Sequence, residues 1–195
     1  MAARDKGPSP RERLLAAADE LFYDEGIHTV GIDRIIEKAG VAKGSLYYNF
    51  DGKDDLVREY LLGRHARMAA RLEGAIATVD DPRAKVLAVF DELGDVLRDP
   101  GYRGCAFSRA LAEAQPGSAE VEESASYRGW LHGLFGRLAN ALDVTDAPTL
   151  AERLLVVYDG ARMGFQMDGD PRVAQTARAL AEQLIDADVR ASANR

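Results

Sequence analysis

Apolar residues recur every three or four positions along almost the whole chain, the spacing of one face of an α-helix, and no stretch shows the alternation of a strand. Ser9, Pro10 and Glu12 predict a capped helix start, because Ser9 can accept from the Glu12 amide while the Glu12 carboxylate reaches back. Leu14, Ala17, Ala18, Leu21 and Phe22 then form one face, and Gly26 ends it. A short helix with Ile32, Ile35, Ile36 and Ala39 follows, then a turn at Gly40 and Val41, and another short helix from about Lys43 to Tyr48. Asp51-Gly52 marks a further turn.

The rest predicts longer helices. One runs from about Lys53 to Val79 with Leu56, Tyr60, Met68, Leu72 and Ile76 inward, and the next carries Val86, Val89, Phe90, Leu93 and Leu97. After Asp99-Pro100-Gly101, a short segment from about Cys105 to Glu113 precedes a helix lined by Tyr127, Leu131, Leu134, Leu138 and Leu142. Leu150, Leu154, Val157 and Ala161 line another, and Val173, Ala177, Leu180 and Leu184 the last. The fold class is therefore all-α, with about nine helices in two parts: residues 1–52, residues 53–190, and a frayed tail at 191–195.

Residues 32–50, IDRIIEKAGVAKGSLYYNF, bear the most specific pattern. Two helices of about two turns, separated by a glycine-containing turn, have helix-turn-helix spacing. Ile32, Ile35, Ile36, Ala39, Val41, Leu46 and Phe50 are the expected buried set, and Gly40 permits a positive φ at the turn. That leaves Lys43, Gly44, Ser45, Tyr47, Tyr48 and Asn49 on the outer face, short polar and hydroxyl groups of the kind that enter a major groove. Gly44 costs a helix about 1 kcal/mol against alanine, which makes sense if something approaches the backbone there.

Composition narrows the class. With 195 residues, 47% apolar and 29% charged, the chain can bury a core without disulfides or a structural metal. The longest apolar run is five residues, far short of a bilayer span, and the N-terminus has no secretory h-region. A single cysteine excludes an internal disulfide, so a cytoplasmic protein with no membrane association is expected. The net charge of −7 argues against a general nucleic-acid-coating protein, but not against a local DNA surface. The first fifty residues carry seven basic and eight acidic side chains, and Arg4, Lys6, Arg11 and Arg13 make the extreme N-terminus a basic arm. Enzyme signals are poor: His28, His65 and His132 fall in separate segments without metal-ligand spacing, and no phosphate-binding glycine loop is present. No cofactor and no metal are expected.

At residues 11–62 the chain resembles the TetR family of bacterial transcriptional regulators. The resemblance rests on RERLLAAADELFYDEG, the turn AGVAKGSLY and the junction FDGKDDL. It implies a homodimeric DNA-binding regulator, a repressor released from a palindromic double-stranded operator by a small hydrophobic or aromatic effector. Tyr47 matches the aromatic residue that usually touches a DNA phosphate, Lys53 the lysine that does likewise at the start of helix four, and Lys43, Ser45 and Tyr48 the base-edge positions. Two positions depart from the family. Gly31 stands where a Ser or Thr usually caps helix two, and Asn49 replaces the usual His.

The resemblance also implies an effector cavity within helices four to seven and a dimer interface on the last two helices. Phe90, Leu93, Cys105, Phe107, Tyr127, Trp130, Leu131, Met163, Phe165 and Gln166 are the candidate lining residues, equally suited to a solid core. Arg162, Asp159 and His132 are nearby polar candidates. Leu154, Gly160, Gly164, Val173, Ala177, Leu180 and Leu184 are candidates for a four-helix dimer interface, or for packing within one chain. Cys105, at a helix start, is either a thiol sensor or a core residue. Other classes compatible with the pattern are a helical hydrophobic-ligand carrier or enzyme without DNA binding, and a regulator acting through protein contacts.

Overall fold

In a computed structural model, residues 7–193 are described, with the side chains of 190–193 left aside. Among these residues there are nine helices and no strand: α1 (Pro10–Glu25), α2 (Ile32–Ala39), α3 (Lys43–Asn49), α4 (Lys53–Ala77), α5 (Pro82–Arg98), α6 (Ala106–Glu113), α7 (Ala119–Asn140), α8 (Ala147–Asp168) and α9 (Val173–Ala193). The expected basic arm residues Arg4 and Lys6 lie outside the described residues, and the expected tail is described only as helical backbone up to Ala193.

Two compact units divide the chain. The first contains the residues up to His65 together with Ala106–Ala125, and the second contains Ala66–Cys105 and the chain from Ser126 onward. This division falls elsewhere than the 52/53 junction read from the sequence.

In the first unit α1 packs on α2 and α3, and α2 on α3. The Ser9 capping box closes as its residue types demand: the Glu12 amide donates to Ser9 Oγ at 3.2 Å, and the Ser9 amide donates to Glu12 Oε2 at 2.7 Å. Leu14, Ala18, Leu21, Phe22, Val30, Ile35, Leu46, Phe50, Leu56 and Leu61 form the core. Ile32, Ile36 and Val41, expected within it, are only half-buried, because a two-turn helix presents too narrow a face to hide them all. The separate stretch Ala106–Ala125 is tied in by charge and hydrogen bonds. Arg58 reaches Glu123 Oε1 at 2.7 Å and Glu122 Oε2 at 2.8 Å, and Arg109 Nη1 donates to the Tyr23 carbonyl at 2.6 Å.

In the second unit α9 packs on α5 and α8. The buried stripe of α9 is Ala174, Ala177, Ala181 and Ile185, whereas Leu180 is exposed and Val173 and Leu184 are half-buried. This corrects the leucine-centred stripe read from the sequence. Close approach of two helices selects small side chains: an added Cβ at Gly94 of α5 would stand 3.6 Å from Ala174 Cβ. Phe90, Phe135 and Tyr158 make an edge-to-face ring cluster, with centroids 5.7 to 6.3 Å apart. Leu142 does not line α7, which ends at Asn140, and Tyr158 takes the buried place expected of Val157.

Candidate nucleic-acid interface

The angle between α2 and α3 is set by one residue. Gly40 adopts φ 61° and ψ 41°, the left-handed conformation that costs an L side chain strain, and its amide turns back to the carbonyls of Ile36 and Glu37. The Gly40 carbonyl is satisfied from α1, where Arg13 Nη1 donates to it at 3.2 Å. Leu46, fully buried, anchors α3 from below, and Phe50 follows it with 2% exposure beneath the Arg11 guanidinium, 5.3 Å from the ring centroid.

With Leu46 and Phe50 facing inward, Tyr47 and Tyr48 between them face out. Tyr48 is 90% exposed and Tyr47 56%, beside exposed Lys43 and Gly44. Tyr48 leaves almost all of its ring in water and Tyr47 more than half, so neither tyrosine belongs to the core of its own subunit. At Gly44 a Cβ would meet nothing within 4 Å, so the glycine is not required by packing. Ser45 and Asn49 are half-buried, and Asn49 Nδ2 donates to the Ser45 carbonyl at 2.7 Å. The Asn49 amide nitrogen is thus used within α3. Gly31 stands at the N-cap of α2 without a side-chain cap.

Three cations of α2 and α3 are held by neighbouring acids. Lys43 Nζ lies 3.0 Å from Asp33 Oδ1, and that hydrogen bond, followed by the carboxylate charge, raises the lysine pKa. Arg34 is paired with Glu25, and Lys38 Nζ sits 2.6 Å from Glu20 Oε1. Lys53, the first residue of α4, lies with its ammonium 6.0 Å from the Phe22 ring centroid. Exposed pairs of this kind are weak and screened by salt, so a phosphate can displace the acid at little cost. The involvement of Asp33 was not read from the sequence; ten residues separate it from Lys43, and only the turn at Gly40 brings them together.

The remaining sequence-derived candidates are spread over both units. Phe107, buried, belongs to the first unit with its ring against His65. In the second unit Phe90, Leu93, Tyr127 and Leu131 are buried, Cys105, Trp130 and Phe165 are half-buried, and Met163 and Gln166 are exposed. Tyr127 stacks on Trp130 at 6.1 Å, and its hydroxyl accepts from Arg162 Nη1 at 3.2 Å. Of the interface candidates, Leu154 and Ala177 are buried within the subunit, Gly160 and Leu180 are exposed, and Gly164 is covered by Val173, whose Cγ2 would meet an added Cβ at 3.3 Å.

A short helix anchored from below, set off its neighbour by a left-handed glycine and presenting phenols, a hydroxyl and a lysine to solvent, is a helix-turn-helix module. The model of the bacterial regulatory proteins of the tetR family matches residues 14–60. Over the whole fold the chain is similar to SCO4454, a TetR-family transcriptional regulator from Streptomyces coelicolor, with 33% identity, a TM-score of 0.86, and coverage of 92% of this chain and 96% of that one. The chain belongs to the TetR family. It is also similar to the HTH-type transcriptional activator FasR of Mycolicibacterium smegmatis, 34% identical over 48% of this chain and 43% of FasR. The HTH-type transcriptional regulator LmrA of Bacillus subtilis is 33% identical over 43% of this chain and 45% of LmrA. The matched stretch spans less than half the length of both curated relatives.

Proposed function

We propose that this protein is a homodimeric, ligand-responsive regulator of transcription, a repressor that leaves its operator when a small effector binds. The observation that carries the reading is the face of α3, where Tyr47 and Tyr48 stand in solvent over a fully buried Leu46. Each subunit sets this face into a major groove of a pseudo-palindromic operator, with half-sites about 34–36 Å apart. Tyr47 and Lys53 hold phosphates and fix the register, while Lys43, Ser45 and Tyr48 read base edges. Such a protein works in the cytoplasm, where the bacterial chromosome is.

Dimerisation is supported by a second surface. Val156, Gly160, Met163 and Met167 recur at intervals of four, three and four along α8, and all are exposed, the three large side chains between 52% and 79%. Leu180 on the neighbouring α9 is exposed as well. An apolar row of this kind on two packed helices suits a four-helix interface between two copies. Among the relatives FasR is an activator, and activation is the alternative that a promoter assay distinguishes from the repression proposed.

The test is selection of genomic DNA fragments on the purified protein, with Tyr47→Ala/Lys53→Ala in parallel and binding measured at two salt concentrations. Enrichment of a palindrome that the double variant loses is the expected result. Absence of any enriched sequence overturns the proposal.

A further inference from the structure

The second unit buries a positive charge that has no carboxylate partner among the described residues. Arg162 of α8 is 8% exposed, yet among the described residues its guanidinium has one hydrogen bond, to the Tyr127 hydroxyl, and no carboxylate partner. Its guanidinium carbon lies 5.5 Å from the Tyr158 ring centroid. An arginine offers five N–H donors; the Tyr127 hydroxyl takes one, and the remaining guanidinium nitrogens are not among the sealed, unpartnered atoms, which leaves them open to a ligand from solvent. Asp159, the nearest acid on the same helix, is paired with Arg128 instead.

A second group in the same cluster is orphaned. The Tyr102 hydroxyl is buried with no hydrogen-bond partner, and it lies close enough to Arg162 to interact with it electrostatically, as do Cys105, Tyr127 and Tyr158. Burial disfavours the arginine charge while these four groups favour it, and they hold its pKa well above the ordinary value. The apolar walls are aromatic: Trp130 stacks on Tyr127, and the Phe165 ring lies 5.6 Å from that of Tyr102. Trp130, Phe165 and Cys105 are only half-buried, so the cluster is not sealed from solvent.

The open guanidinium and the unpartnered hydroxyl stand among aromatic rings of one cluster and share one complement. We propose that the effector of this regulator is a carboxylic acid with a flat or apolar body, whose carboxylate pairs with the Arg162 guanidinium and accepts from the Tyr102 hydroxyl while the body lies against Trp130 and Phe165. A carboxylate matches the planar fork of an arginine with two parallel hydrogen bonds, which a neutral amide cannot do. The inference rests on the regulator reading for the word effector, but the site itself does not depend on DNA.

The experiment compares acids with their amides: benzoate with benzamide, 1-naphthoate with 1-naphthamide, and decanoate with decanamide. Binding is followed by the melting temperature of the full-length protein and by titration calorimetry, for wild type, Arg162→Met and Tyr102→Phe. At least one acid is expected to raise the melting temperature by several degrees and to bind at least about tenfold more tightly than its amide. Arg162→Met should abolish that preference and Tyr102→Phe should reduce it. Tyr102→Phe removes only a hydroxyl that bonds nothing, so it is the variant that keeps the fold. The proposal is overturned if no acid outperforms its amide, or if both variants keep the full acid preference. Operator binding by the wild-type protein without acid, read separately, reports on the regulator reading: its absence alongside an intact acid preference would leave a binder of acids that is not a regulator.

Discussion

Gly44→Ala separates what α3 needs for folding from what it needs for recognition. The position has an ordinary φ and an added methyl meets nothing within 4 Å, so the substitution introduces neither strain nor clash. Replacing glycine by alanine inside an exposed helix contributes about 0.5–1 kcal/mol, chiefly by restricting the unfolded chain. Gly44 is the second residue of a seven-residue helix, which places the gain at the lower end of that range. For a protein of this size such a gain corresponds to a rise in melting temperature of about 1–3 °C. Thermal unfolding followed by circular dichroism measures it. On DNA the proposed function reverses the sign, because the same methyl would occupy the space through which a phosphate backbone would come close to α3. A variant that melts higher and binds the selected operator at least about tenfold more weakly fits the argument. Unchanged operator affinity would refute the close approach, and a lower melting temperature would refute the reading of open space around the Cα.

Two further outcomes follow from the same geometry. Asp33→Asn frees Lys43 and removes a negative charge from the recognition face, so DNA affinity should rise at low salt and the advantage should shrink as salt increases; fluorescence anisotropy at several ionic strengths checks this, and a uniform change across salt would count against it. Burial of His65 lowers its pKa below the ordinary 6.5, a shift that the Glu123 charge partly opposes. The folded protein therefore binds fewer protons there than the unfolded chain, and the His65 contribution is fully present above pH 6.5 and declines as pH falls through that value toward the lowered one. His65→Gln should flatten the loss of melting temperature between pH 7 and pH 5 relative to wild type.

What could be read in the chain was set by local chemistry. The Ser9–Glu12 box, the glycine at position 40 and the four-residue steps from Ile35 to Ala39 and from Leu46 to Phe50 act over four or fewer residues, so the helix-turn-helix module follows from the sequence almost residue by residue. The stripe of α9 did not follow, because that helix carries two apolar rows. Leucines make the larger claim on a core by volume, but the approach of α9 to Gly94 of α5 admits only the alanine row. Arg162 did leave a signal: it falls four residues after Tyr158 and eight after Leu154, within the inward face of α8, where a charge is out of place. Tyr102 left none, since a tyrosine in a loop says nothing about its hydroxyl. The recruitment of α6 and the start of α7 to the first unit rests on pairs more than sixty residues apart, Arg58 with Glu122 and Glu123 and Arg109 with Tyr23, which no local pattern reports.

That recruitment bears on how such a protein can be rebuilt. The unit that holds α3 is made of two separate lengths of chain, joined by Arg58, Arg109 and the acids of α7. A single crossover near residue 52, transplanting a foreign recognition head onto this body, would keep Arg58 with Glu122 and Glu123 but would ask a foreign backbone carbonyl to meet Arg109 in place of that of Tyr23. Grafts that move only the outward residues of α3, Lys43 to Tyr48, leave those joins intact. On the proposed function, the unit of exchange for changing what this protein reads is therefore a helix face of a few side chains, and the unit that holds the proposed effector site begins after His65 and skips Ala106–Ala125.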